Sequence, residues 1–203
     1  MKFKHFIGIG IALLMLSGCQ EMTANNEEQM MIKSKELSNN ESRLLGTLTD
    51  FATWVDIEEF SPEINQMKVG MDYYIDGALV DGDTEMTSYV GEKSEKIEDI
   101  LIALNVNGDE QKTISGLIQV NNEEGNTRYD FTRNIPDFMS GGNLSQYLWG
   151  EGVQAVIDEK IYIGYYVIGD QDVSAPSLED GEDADLKNSN GHLFAFYILL
   201  GED

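Results

Sequence analysis

Residues 192–200 read HLFAFYILL, and residues 160–168 read KIYIGYYVI. Both stretches have the length of a β-strand and are rich in aromatic and β-branched residues. Neither alternates: apolar side chains fall on both faces of each strand, so each belongs in the middle of a sheet that is covered above and below. These two stretches set the centre of the fold, and the remaining strands arrange themselves around it.

Upstream, the period is two. Met67, Val69, Met71, Tyr73, Ile75 and Leu79 alternate with Lys68, Gly70, Asp72, Tyr74 and Asp76, a strand with one apolar face. Asp81-Gly82-Asp83 reads as a turn into a weaker strand over residues 84–90. Ile100, Ile102, Leu104 and Val106 form the next strand, closed by the hairpin signal Asn107-Gly108. Its partner places Ile114, Gly116, Ile118 and Val120 on one side. After a loop with Gly125, Tyr129, Phe131 and Ile135 point inward and Arg128, Asp130 and Thr132 outward. Pro136 ends this strand, and Asn143 caps a short helix (LSQYLW) within residues 137–152. Residues 153–157 pair with 160–168 in a hairpin closed at Asp158-Glu159, and residues 169–191 form a long acidic loop.

At the other end, Ser38 and Glu41 match a capping box. Leu44, Leu45, Leu48, Phe51, Ala52 and Val55 follow at helical spacing, which predicts a helix over residues 40–59. Gly46 and the threonines are poor helix formers, so a pair of strands competes with that helix. Residues 20–37, with Met30-Met31-Ile32 as a weak helix start, read as a flexible tether. The fold class is α+β, predominantly antiparallel β, in one domain over residues 38–203: a single twisted sheet or a sandwich, with the N-terminal helix packed on one face.

The first 18 residues are a separate device. Lys2 and Lys4 precede the apolar run Phe6–Leu16, which has the charge and length of a secretory signal and is too short to span a bilayer. Leu16-Ser17-Gly18-Cys19 resembles the lipobox of bacterial lipoproteins, and the resemblance covers residues 1–19 only. It implies that Cys19 becomes a lipidated N-terminus, carrying the acyl (palmitate-type) chains that tie the protein to the extracytoplasmic face of the cell membrane. Ile11–Gly18 (IALLMLSG) also resembles the peptide pheromones that enterococci release from lipoprotein signal sequences, which implies an alternative role as a pheromone precursor.

The whole chain carries 13 basic and 37 acidic residues, a net charge of −24. Removing residues 1–18 takes away two lysines and no acid, leaving 11 basic residues against 37 and a net charge of −26. Such a surface repels nucleic acid and anionic lipid headgroups and favours basic protein partners. Cys19 is the only cysteine, so the domain has no disulfide framework and depends on its core.

Few residues suggest chemistry. His192 is the only histidine after residue 18, no Gly-x-Ser-x-Gly elbow is present, and His192 reads as a polar strand end. Asp170, Asp172, Asp180, Asp183 and Asp185 offer hard oxygen ligands for Ca²⁺, although they lack the spacing of an EF-hand. Tyr162 and Tyr166, together with Asp72, Asp76 and Arg128, are the candidate binding residues of a strand surface that could stack a sugar or face a protein. The expectation is a non-enzymatic, lipid-anchored binding protein, for example an immunity or exclusion lipoprotein that engages a basic extracytoplasmic protein. The alternative is a Ca²⁺-dependent or carbohydrate-binding surface lipoprotein.

Overall fold

The computed structural model describes residues 30–58, 64–89, 97–107, 113–135, 142–147, 152–169, 186 and 190–201. In chain order the elements are β1 (Met31–Ser34), α1 (Asn39–Leu48), β2 (Phe51–Glu58), β3 (Gln66–Ile75), β4 (Ala78–Tyr89), β5 (Ile97–Asn107), β6 (Thr113–Asn122), β7 (Gly125–Asn134), β8 (Gly142–Tyr147), β9 (Val153–Gln154), β10 (Lys160–Gly169) and β11 (His192–Gly201). They form two antiparallel sheets, a six-stranded one ordered β7-β6-β5-β2-β1-β9 and a five-stranded one ordered β4-β3-β11-β10-β8. The fold is therefore the sandwich form of the α+β, mostly antiparallel class.

The two sheets bury a common core. Phe51, Ile100, Ile102, Ile114 and Ile118 from the six-stranded sheet meet Met67, Val69, Ile163, Phe194 and Phe196 from the five-stranded one. Phe51 and Phe196 stack across the gap with ring centroids 5.2 Å apart. Thr53 Oγ1 donates across it to the Ile163 carbonyl at 3.2 Å. That carbonyl belongs to the residue skipped by the β10–β11 register between Tyr162 and Gly164, so a side chain from the opposite sheet satisfies the bulge. As their two-sided apolarity requires, β11 lies at the centre of its sheet and β10 beside it, both buried along nearly their whole length.

Several local expectations are corrected. The helix expected over residues 40–59 stops at Leu48, because Phe51, Thr53, Val55 and Ile57 carry a period of two and form the inner face of β2. Residues 31–34, placed within the tether, form β1, hydrogen-bonded to β2 on one side and β9 on the other, with Ile32 fully buried. α1 leans over β2 but packs only loosely: it buries no residue, and Leu44 and Leu48 are 59% and 62% exposed. Its capping box is present, with Ser38 N–H donating to Glu41 Oε2 at 2.8 Å.

The β3–β4 turn lies at Asp76-Gly77 rather than Asp81-Gly82-Asp83. Both residues have positive φ (47° and 77°), the geometry that matches hairpin twist and suits Asp-Gly. Residues 142–147 are strand β8, paired with β10, where a short helix was expected. Residues 153–154 pair with β1 instead of closing a hairpin onto β10, which lengthens the six-stranded sheet.

Candidate functional site

The outer face of the five-stranded sheet is buried over its central strands β3, β11 and β10. Tyr74, Tyr162, Tyr165, Val167, Leu193, Ala195 and Tyr197 form a second apolar cluster there, and Leu186, at 1% exposure, packs into it from the acidic segment. Within this layer Asp72 is 1% exposed. It accepts hydrogen bonds from Lys160 Nζ at 2.8 and 2.7 Å and from Tyr162 Oη at 2.7 Å. Burial, followed by the bonds to Asp72 and Tyr74, pushes the Tyr162 phenol far above its ordinary pKa, so it stays a protonated donor. Lys160 Nζ also lies 4.0 Å over the Tyr197 ring, whose hydroxyl donates to Glu85 at 3.1 Å. Gly70 makes room for that ring, since a Cβ there would fall 2.5 Å from Tyr197 Cζ. These groups satisfy one another in a buried polar layer.

The outer face of the six-stranded sheet is different. Register places Trp54, Leu101, Gln119 and Arg128 in one row, and Ala52, Ala103, Leu117 and Asp130 in the next. Trp54, Leu101 and Leu117 stand among alanines and polar residues there, Asn105, Ser115 and Thr132 continue the face as polar, and among the described residues no strand or helix packs on its β5–β7 part. A depression of about 260 Å³ crosses it, lined by residues including Ala103, Leu117, Arg128, Asp130 and Thr132. A deeper cleft of about 350 Å³ opens where α1 leans over β2, between Leu37, Leu45 and Gly46 on one side and Ala52 and Trp54 on the other. Thr49 borders both.

The chain is pinned where it leaves and rejoins the sheet around α1. Lys35 N–H donates to the Trp54 carbonyl at 2.8 Å, and Asp50 N–H donates to the Leu104 carbonyl at 3.1 Å. Trp54 is held by its edge, with Nε1 donating to Asp99 Oδ1 at 2.8 Å. Asp99, buried on this face, also accepts from Lys35 and Asn121. Burial alone would push its carboxyl up; the donors from Lys35, Asn121 and Trp54 outweigh burial and hold it below the usual carboxylate range. Lys35, which also pairs with Asp56 at 3.1 Å, is raised above its ordinary value despite its partial burial.

The candidate binding residues do not converge. Tyr162 and Asp72 meet, but inside the closed layer. Tyr166 points into the common core, 6.0 Å from Phe51. Asp76 sits at the hairpin turn, accepting from Gly191 N–H at 2.8 Å. Arg128 alone lies on the open face, paired with Asp130 on its own strand at 2.6 Å. His192 is 8% exposed rather than a polar strand end, and its Nδ1 lies 2.7 Å from Tyr73 Oη. Asp170, Asp172, Asp180, Asp183 and Asp185 lie outside the described residues, as does Cys19. Among the described residues no group of three His, Cys, Asp or Glu is placed to hold a metal, and no helix is long and apolar enough to cross a membrane. Sequence reasoning missed Trp54, Asp99 and Asn121: the first was assigned to a helix, and the other two become partners only through strand register.

Fold and surface together define a β-sandwich domain in which the central strands of one sheet are buried on both sides and the other sheet presents a broad, mostly polar face. The YgaN domain family matches the chain over residues 31–199, from the first residue of β1 into the last turn of β11's ladder, and the chain belongs to that family. No curated protein and no solved structure matches it.

Proposed function

We propose that this protein is a lipid-anchored extracytoplasmic binding module, without enzymatic activity, that engages a basic protein through the outer face of the six-stranded sheet. One observation supports the choice of face: the central strands of the five-stranded sheet spend their outer side on a second core, whereas the outer side of the other sheet sets Trp54, Leu101 and Leu117 among polar and small residues beside two depressions. Rigid strands present such a surface without an ordering cost on binding. The net charge of −26 after residue 18 attracts a cationic partner over long range and makes capture depend on salt. The lipobox-like stretch at Leu16–Cys19 supplies the anchor, and neutralising a secreted basic toxin or excluding an incoming protein is the form of activity this arrangement serves.

All described strands lie within residues 31–201, so a soluble ectodomain of residues 20–203 retains the sandwich. Immobilised and exposed to culture supernatant and envelope extract, it is expected to retain one basic polypeptide at low salt and release it at high salt. Retention of no polypeptide under either condition would contradict the proposal.

A further inference from the structure

The cleft under α1 contains a glycine that the fold does not require. Gly46 sits inside a ten-residue helix, where glycine costs about 1 kcal/mol relative to alanine, and a Cβ built on it meets nothing within 4 Å. By contrast, a Cβ on Gly70 or Gly116 would collide with an aromatic ring. What the missing side chain at Gly46 does provide is open space in the cleft wall opposite Trp54.

The helix around it is similarly unspent. A helix of this length is marginal by itself and relies on packing, yet α1 buries no residue and turns only Leu45 of its three leucines to the cleft, leaving Leu44 and Leu48 exposed. The indole opposite is fixed by its bond to Asp99, so the aromatic wall is pre-oriented. The lining itself holds one carboxylate, Asp50, and one ammonium, Lys35, which lies 4.8 Å over the Trp54 ring and is already paired with Asp56 and Asp99; Glu36 and Glu41 stand in the same stretch of chain, and the domain as a whole is strongly acidic.

Resting on the proposal of a basic protein partner, we infer that this cleft seats an apolar side chain from a cationic amphipathic segment of that partner, with the neighbouring carboxylates taking its Lys or Arg groups. Charge selects this occupant. An anionic bilayer and a second copy of the chain are both repelled by a domain of this charge, whereas a cationic segment is drawn in and its apolar anchor finds a pocket walled by Leu37, Leu45, Ala52 and Trp54.

The test uses the ectodomain of residues 20–203 with Trp149→Phe, leaving Trp54 as the only indole. The probes are a short amphipathic peptide of Lys and Leu, an oligolysine of equal charge, and the corresponding Glu/Leu peptide. The Lys/Leu peptide is expected to bind saturably and shift Trp54 emission, and Gly46→Phe, which fills the cleft, is expected to weaken it about tenfold while the melting temperature holds. Gly46→Ala serves as the folding control and keeps binding. Equal binding of oligolysine and Lys/Leu peptide, unaffected by Gly46→Phe, would overturn the cleft as the seat and leave the basic-partner proposal standing. Failure of both cationic peptides to bind better than the Glu/Leu peptide would overturn the basic-partner proposal itself. Self-association of the ectodomain, or binding to anionic vesicles, that Gly46→Phe abolishes would assign the cleft to a second copy or to lipid and overturn the inference.

Discussion

Trp54 and Asp99, on the neighbouring strands β2 and β5, are joined by a 2.8 Å hydrogen bond from the indole Nε1 to the carboxylate. The bond links a buried acid to the wall of the cleft. The same carboxylate holds Lys35, the residue after β1, and Asn121 of β6, so four neighbouring segments converge on one residue.

Asp99→Asn is therefore expected to destabilise the domain by about 1–3 kcal/mol at neutral pH, since charge-assisted bonds to Lys35 are weakened. The carboxyl is held below its usual range in the folded state. Its stabilisation is then complete above an unfolded pKa of about 4 and is lost as pH falls through the lower folded value. Melting temperatures of wild type and Asp99→Asn should converge as the pH drops below about 4. A gap that stays constant across that range would contradict the assignment.

Tyr162 makes the opposite pH prediction. Its phenol is raised in the folded state, so its contribution is full below the unfolded pKa of about 10 and falls as pH rises beyond it. Tyr162→Phe should cost about 1–2 kcal/mol near neutrality. Above about pH 10 the wild type should lose that advantage, because its unfolded state ionises first. Thermal melts of the two proteins between neutral and alkaline pH check the sign.

Two glycines should respond in opposite directions to the same substitution. Gly70→Ala forces a methyl against Tyr197, within 2.5 Å of Cζ, and is expected to lower stability by about 1–3 kcal/mol. Gly46→Ala meets nothing and should raise it by about 0.5–1 kcal/mol. Urea unfolding of both variants separates a glycine that the packing demands from one that it does not.

The anchor is tested independently of the fold. On the proposed lipidation, Cys19→Ala in the full chain should move the protein from the membrane fraction to the medium, because Cys19 is the only cysteine in the sequence. A variant that still sediments with membranes would contradict lipidation at Cys19.

The centre of this fold is legible in sequence because HLFAFYILL and KIYIGYYVI are apolar on both faces, and nothing in their neighbourhood competes with a strand. The N-terminal region is not, for a reason that lies in Phe51, Ala52 and Val55. These residues satisfy helical spacing from Leu44 and Leu48, while Phe51, Thr53, Val55 and Ile57 satisfy strand spacing equally well. Burial against Phe196 and Ile163 decides for the strand. Once β2 is read as a helix, β1 loses its partner and looks like tether, so one ambiguity hides two strands. The burial of Asp72 was also invisible, because its cover comes from Lys160, Tyr162 and the layer that Leu186 joins, more than eighty residues away. The cleft depends on the end of α1 at Leu48 and the register of Trp54, neither of which a local pattern specifies.

The outer face of the six-stranded sheet is the proposed working surface. Its most direct test is retention of the basic partner by three ectodomain variants compared with wild type. Leu117→Arg and Gln119→Arg place a cation on that face, and Leu79→Arg places one at an exposed position of the other sheet. Leu117→Arg and Gln119→Arg are expected to lose the partner, and Leu79→Arg is expected to keep it. Full retention by the first two, or loss by Leu79→Arg alone, would contradict it.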